Sequence, residues 1–199
     1  FLEINIIEFD NSYIYISRSG YTGEDGFEIS ISNENAENFI NKVFKNENTL
    51  LCGLGCRDSL RVEAGLSLYG NEINEDITPI QANLSWAIDK KRLDDENLNG
   101  SNILLQQLQE TKDTVKIGIT PVNKTMLRNN MTLHNMEKNE IGYITSGCFS
   151  PTLKRSVGIG YINNFTNKLD KLFVKVRGEF EEVIIDNIPF VKKNYKKGG

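Results

Sequence analysis

The densest group of reactive side chains lies at residues 20–28, GYTGEDGFE, where three glycines and three carboxylates fall within one turn and the start of a strand. Glycine lets a backbone reach positive φ and approach a ligand closely. Taken as a pattern alone, the stretch reads equally as an acidic, solvated hairpin. Glu28 adds a sharper reading, because Phe27, Ile29 and Ile31 flank it as the apolar side of a two-residue alternation. A carboxylate on the opposite face is presented to a pocket rather than to bulk water. Two carboxylate oxygens accept hydrogen bonds in parallel, which suits a flat heterocycle offering an amino group beside a ring N–H.

A second stretch, GLGCRDSLRVEAGLSLYG at 53–70, sets Arg57 and Arg61 four residues apart on one helical face, with Asp58 and Glu63 elsewhere. An intrahelical charge pair after a tight glycine entry is one account. The other puts Arg57, next to the turn that opens the helix, against an anion, a role for which it is better placed than Arg61. Trp86 is the only tryptophan; it suits a core position or a platform on which a planar ring stacks. The stretch SGCFSPTLKR at 146–155 reads by itself as a loop leading into a strand. The tail FVKKNYKKGG surrounds Tyr195 with four lysines and reads as a solvated terminus.

The elements that position these residues begin with strands at 3–9 and 12–18, where Tyr13 and Tyr15 oppose Ile14 and Ile16. A strand at 27–31 follows the glycine loop. Ser32 and Asn33 then cap a helix whose Ala36, Phe39, Ile40, Val43 and Phe44 form one apolar stripe. Residues 50–54 read as a short buried strand, 58–64 as a helix stopped by Gly65, and Thr78–Pro79 as the start of a further short helix. The polar stretch LDDENLNGS at 93–101 is the expected junction, followed by a helix through Ile103, Leu104 and Leu108. Beyond it, VKIGIT, EIGYIT, VGIGYI, KLFVKV and EEVIID recur between turn residues, the spacing of an antiparallel barrel or sandwich.

The net charge of −4 provides no diffuse basic surface for a nucleic-acid backbone or an anionic membrane, so an anionic ligand must be held by a few placed cations. No run approaches the roughly 20 apolar residues that span a bilayer. The three cysteines, Cys52, Cys56 and Cys148, are an odd number, which argues against a disulfide framework and for a reducing compartment. Together with the single His134 they match no familiar zinc spacing, so no metal is expected.

In their order, GYTGEDGFE, GLGCRDSLRVEAGLSLYGNEI, TPIQANLSWAI and TSGCFSPTLKRSVGIGYI resemble the glycine cleavage T-protein family, the tetrahydrofolate-dependent aminomethyltransferases. The resemblance runs from about Ser17 onward. It implies an α+β fold in which residues 1–95 are the C-terminal part of the folate-binding region and 96–199 an antiparallel β-barrel domain. By the same resemblance, Glu28 is the carboxylate that binds the pterin, Arg57 the arginine of the folate site and Tyr195 the tyrosine near the C-terminus, while Tyr21 and Trp86 line the cavity. Lysines around Tyr195 depart from the usual family ending.

The resemblance also implies the reaction: an aminomethyl group on the lipoyl arm of the H-protein gives its one-carbon unit to tetrahydrofolate, with release of ammonia. No catalytic residue is expected in this chain. The family's aspartate near the reacting folate nitrogen belongs to its N-terminal half, and FLEINIIEFD reads as a strand entered mid-sequence. The implied compartment is the mitochondrial matrix in a eukaryote and the cytoplasm in a bacterium. Two alternatives stay open: a non-catalytic folate-binding module, or a folate-linked domain that demethylates sarcosine or dimethylglycine.

Overall fold

The computed structural model describes residues 2–93, 95, 98–109, 114–163 and 171–196. The fold is α+β: a three-stranded sheet and helices lead into a closed six-stranded antiparallel barrel. Strands β1 (Ile4–Phe9), β2 (Ser12–Ser17) and β3 (Glu28–Ser30) pair in chain order. Cross-strand partners share a face. Ile14 therefore joins Ile7, and Ile16 joins Ile29, on one side, whereas Glu28 joins Ser17 on the other, alternating with the Tyr15–Ser30 pair. The first side is the inner one, since Ile14 is 2% exposed while Tyr13 and Tyr15 are more than half exposed.

Helix α1 (Asn33–Val43) follows Ser32 as expected and packs on the inner side, Phe39 meeting Phe9 edge to face at 5.4 Å. Its stripe is covered only in part: no α1 residue is fully buried, and Ile40 and Val43 remain exposed. The strand expected at 50–54 is absent. Leu50, Leu51 and Leu54 are each more than 80% exposed, and no neighbouring strand takes their backbone groups, without which an apolar run has no ladder to join. Instead Gly53, in extended geometry, caps helix α2 (Leu54–Glu63), which starts four residues earlier than the charge pattern suggested. At Thr78–Pro79 the chain makes one helical turn, with Ala82 N–H on the Thr78 carbonyl at 3.0 Å, and Asn83 at φ +58° ends it. Short 3₁₀ turns follow at Ser85–Ala87 and Lys90–Arg92. Part of the expected junction, residues 94, 96 and 97, lies outside the described residues, as do 197–199 of the tail.

Helix α3 (Ser101–Gln109) carries Ile103, Leu104 and Leu108 as expected. The barrel comprises β4 (Thr114–Pro121), β5 (Thr132–His134), β6 (Glu140–Ser150), β7 (Arg155–Asn163), β8 (Leu172–Val176) and β9 (Glu179–Asp186), ordered β4-β7-β6-β5-β8-β9 and closed between β9 and β4. Five of the six match the apolar stretches read in the sequence; the three-residue β5 was too short to stand out. Ile117, Ile119, Leu127, Leu133, Ile144 and Val174 fill the interior. Gly160 keeps β6 and β7 close, because a Cβ there would lie 2.5 Å from the Tyr143 carbonyl oxygen. Outside the barrel, Val62 of α2 packs on Val157 and Ile159. That contact fixes the helix that carries Arg57.

Candidate functional site

The loop between β2 and β3 is tied down along its length. Arg18 holds Asp25 through a two-point bond, 3.0 and 2.6 Å, and this cation keeps the Asp25 carboxyl below the usual carboxylate range. Gly23 adopts φ +78°, and a Cβ there would stand 2.6 Å from that of Ala64, so the loop lies flat on the end of α2. The tail closes it from the other side: Asn194 N–H donates to the Gly23 carbonyl at 2.8 Å, and its side-chain amide donates to Glu24 at 3.0 Å. This places Tyr195 beside the loop, and burial raises its pKa.

Within this frame Ser19 Oγ donates to Glu28 Oε2 at 2.5 Å, which orients an otherwise exposed carboxylate on the outer face of the sheet. Tyr21 donates its hydroxyl to the Ser67 carbonyl at 2.6 Å, and the Arg57 guanidinium lies over its ring, 5.0 Å from the centroid. Burial is the largest influence on the Tyr21 hydroxyl and raises its pKa, keeping it a donor. Ser19 and Tyr21 are two positions apart, about 7 Å of chain at most. The groups holding Glu28 and Arg57 are therefore on one short segment.

Arg61 behaves unlike Arg57 although both sit on one helical face. It is 1% exposed and bonds Asp58 at 2.8 Å, Glu72 at 2.9 Å and the Ser146 hydroxyl at 2.6 Å. The intrahelical pair is thus real, and it is one arm of a larger network. Glu72, fully buried, also accepts from the Thr145 and Ser146 hydroxyls, and its carbonyl accepts from Tyr161 at 2.8 Å. A register shift in β6 between Ile144 and Ser146 turns two successive hydroxyls toward one carboxylate. Glu63 likewise takes two hydroxyls, those of Ser150 and Thr152. The SGCFSPTLKR stretch is accordingly half strand: it ends β6, turns at 151–154 and opens β7 with Arg155.

Trp86 is not a core residue. It is 79% exposed and lines a cavity of about 180 Å³ with Ser67, Lys116 and Lys193 among its neighbours. Ser67 borders both this cavity and Tyr21. Ser19 bonds Glu28, Tyr21 lies under Arg57 and reaches Ser67 on the wall of the Trp86 cavity, and the tail that carries Tyr195 bonds Gly23 and Glu24 of the same loop. Among the described residues no cluster of three or more metal-ligating side chains forms, and no helix is long and apolar enough to cross a membrane.

Two family descriptions account for nearly all of this architecture: residues 1–92 match the GCVT N-terminal domain and residues 112–192 the glycine cleavage T-protein C-terminal barrel domain. The chain belongs to the glycine cleavage T-protein family. It is 39% identical over 200 residues to the mitochondrial aminomethyltransferase of Flaveria anomala, a match covering 99% of this chain and 49% of that protein. To the mitochondrial aminomethyltransferase of Homo sapiens it is 39% identical over 181 residues, covering 90% and 45%. The crystal structure of glycine cleavage system aminomethyltransferase T from Bartonella henselae superposes with a TM-score of 0.86 at 36% identity, covering 92% of this chain and 51% of that one. The chain spans about half the length of the family members it matches.

Sequence reasoning passed over Glu72, Thr145, Ser146 and Lys116. A lysine inside the apolar run VKIGIT was the one available signal for Lys116. The partners of Arg61 lie up to 85 positions away, and no local pattern encodes them.

Proposed function

We propose that this chain supplies the folate-contacting region and the barrel of a glycine cleavage aminomethyltransferase, which passes the one-carbon unit of an aminomethyl-lipoyl H-protein to tetrahydrofolate and releases ammonia. The observation that carries the reading is the clamped loop at 18–28, which gathers Glu28 and the Tyr21–Arg57 pair on one segment. Within it, Glu28 binds the amino group and ring N–H of the pterin through its two oxygens. Arg57, held over Tyr21, offers a guanidinium to the folate, and Tyr195 and Trp86 border the same ligand. Residues 1–95 form the folate-binding α+β part and 96–199 the barrel domain.

The contribution of these residues is orientation: they hold a folate nitrogen against the carbon to be transferred, and fixed geometry of this kind lowers the entropic part of the barrier. The reading assigns no acid or base to this chain and calls for no metal. It places the protein in the mitochondrial matrix of a eukaryote or the cytoplasm of a bacterium. The test is a transfer assay with aminomethyl-lipoyl H-protein and tetrahydrofolate, beside calorimetry with tetrahydrofolate alone. Ammonia release that depends on both substrates supports the reading. Folate binding without turnover in the full-length protein points instead to a non-catalytic module, and turnover of sarcosine or dimethylglycine to a demethylating enzyme.

A further inference from the structure

Cys52 and Cys56 are both exposed, and only Gly53, Leu54 and Gly55 separate them. Gly53 is the extended N-cap of α2, so Cys52 stands just before the helix and Cys56 in its first turn, where its N–H donates to the Gly53 carbonyl at 3.0 Å. This fold-back brings the two sulfurs into contact, the Cys56 thiol donating a hydrogen bond to Cys52. That bond is the largest influence on the Cys56 thiol and raises its pKa, which makes Cys56 the partner that keeps its proton.

A disulfide requires sulfurs about 2.05 Å apart and Cα atoms no more than about 7 Å apart. Two thiols already in contact reach that geometry by a small shift of the chain between them. This chain has room to shift. Nothing lies within 4 Å of where a Cβ on Gly53 or Gly55 would stand, and Leu54 is 81% exposed. Two glycines in three residues also widen the backbone angles open to it. In a reducing compartment such a pair rests as a dithiol, and the disulfides that do form there are transient and redox-sensing. Cys148, half-buried, is the odd thiol left outside the pair.

We propose that Cys52 and Cys56, in contact at the exposed entry of α2, are a thiol–disulfide exchange site for a low-molecular-weight disulfide of the glutathione type. Cys52, as the thiolate, attacks one sulfur of the small disulfide. A mixed disulfide forms on Cys52, and the first glutathione leaves as a thiolate that takes up a proton. Cys56 then loses its proton and attacks the Cys52 sulfur, which closes the bridge and expels the second glutathione. The cysteines give up two electrons and two protons in all, and the small disulfide receives them as two thiols. Arg57 is the next residue, so the closed bridge ties down the turn from which its guanidinium reaches Tyr21. This chemistry is independent of the proposed function.

The test treats the reduced full-length protein with oxidised glutathione, unfolds it in the presence of N-ethylmaleimide and weighs its peptides. In the wild type the peptide holding residues 52–56 should be two hydrogens lighter and escape alkylation, while Cys148 is alkylated. Cys56→Ser lacks the second thiol and should instead retain one glutathione on Cys52. Both cysteines are exposed, so Cys56→Ser and its counterpart Cys52→Ser should fold as the wild type does, and neither should form a bridge. Dithiothreitol should restore both wild-type thiols. A wild type that keeps Cys52 and Cys56 free, that holds a lasting glutathione adduct on either, or that bridges one of them to Cys148 overturns the inference.

Discussion

Cys148 and Cys52 illustrate how position rather than residue type sets chemistry. The Cys148 thiol is half-buried against α2 and pushed up to about 11, chiefly by burial, whereas Cys52 is exposed. Because the folded-state value is raised, the thiol's contribution to stability is intact below its ordinary value of 9.0 and is lost as pH rises through about 11. Maleimide labelling of the native protein at pH 8 should therefore modify Cys52 well before Cys148, and unfolding in urea should abolish the difference. Equal rates in the native state would contradict the burial. Neither thiol pairs in a disulfide. The alternation of Phe27, Ile29 and Ile31 gave the strand face that Glu28 occupies, but Glu28 is exposed there rather than turned away from bulk water as expected. Its bond to Ser19 was not legible, because nothing in the alternation fixes how a loop folds back.

At the scale of the element, α2 is where two arginines on one face acquire different jobs. Arg61 is sealed against the barrel, and Arg57 stays in the open over Tyr21. Arg61→Ala leaves Glu72 buried without its counter-charge and is expected to cost about 3–5 kcal/mol. Arg57→Ala removes an exposed side chain and should change stability by no more than about 0.5 kcal/mol while reducing folate affinity. Urea denaturation of the two variants checks the contrast. Helix α1 and most barrel strands were readable because caps and two- or 3.6-residue periods are local signals. The error at 50–54 has the opposite origin: an apolar run becomes a strand only where a partner accepts its backbone, and Gly53 opens a helix instead. The choice between core and platform for Trp86 stayed open for a related reason, since a large aromatic side chain carries no local mark of whether a neighbour will cover it.

Across the whole molecule, the front region is tied to the barrel at several points. Three of them are the Arg61–Glu72–Ser146 network, the Glu63–Ser150–Thr152 contacts, and the tail that returns from β9 to the 23–25 loop. All three bridge segments far apart in the chain, which is why periodicity could not build them. Ending the chain at Val191 removes the Asn194 bonds to Gly23 and Glu24 and the Lys196 N–H on Asp25. Hydrogen exchange should then quicken at 22–26 while β6 and β7 keep their protection; unchanged exchange in the loop would show that the tail does not hold it. The central claim, that this assembled neighbourhood is a folate site led by Glu28, is tested most directly by calorimetric titration of tetrahydrofolate into Glu28→Ala and Cys148→Ser. Glu28→Ala should weaken binding by more than about tenfold, having lost the two-oxygen acceptor, and Cys148→Ser should match wild type; equal affinities in the two variants would contradict the assignment.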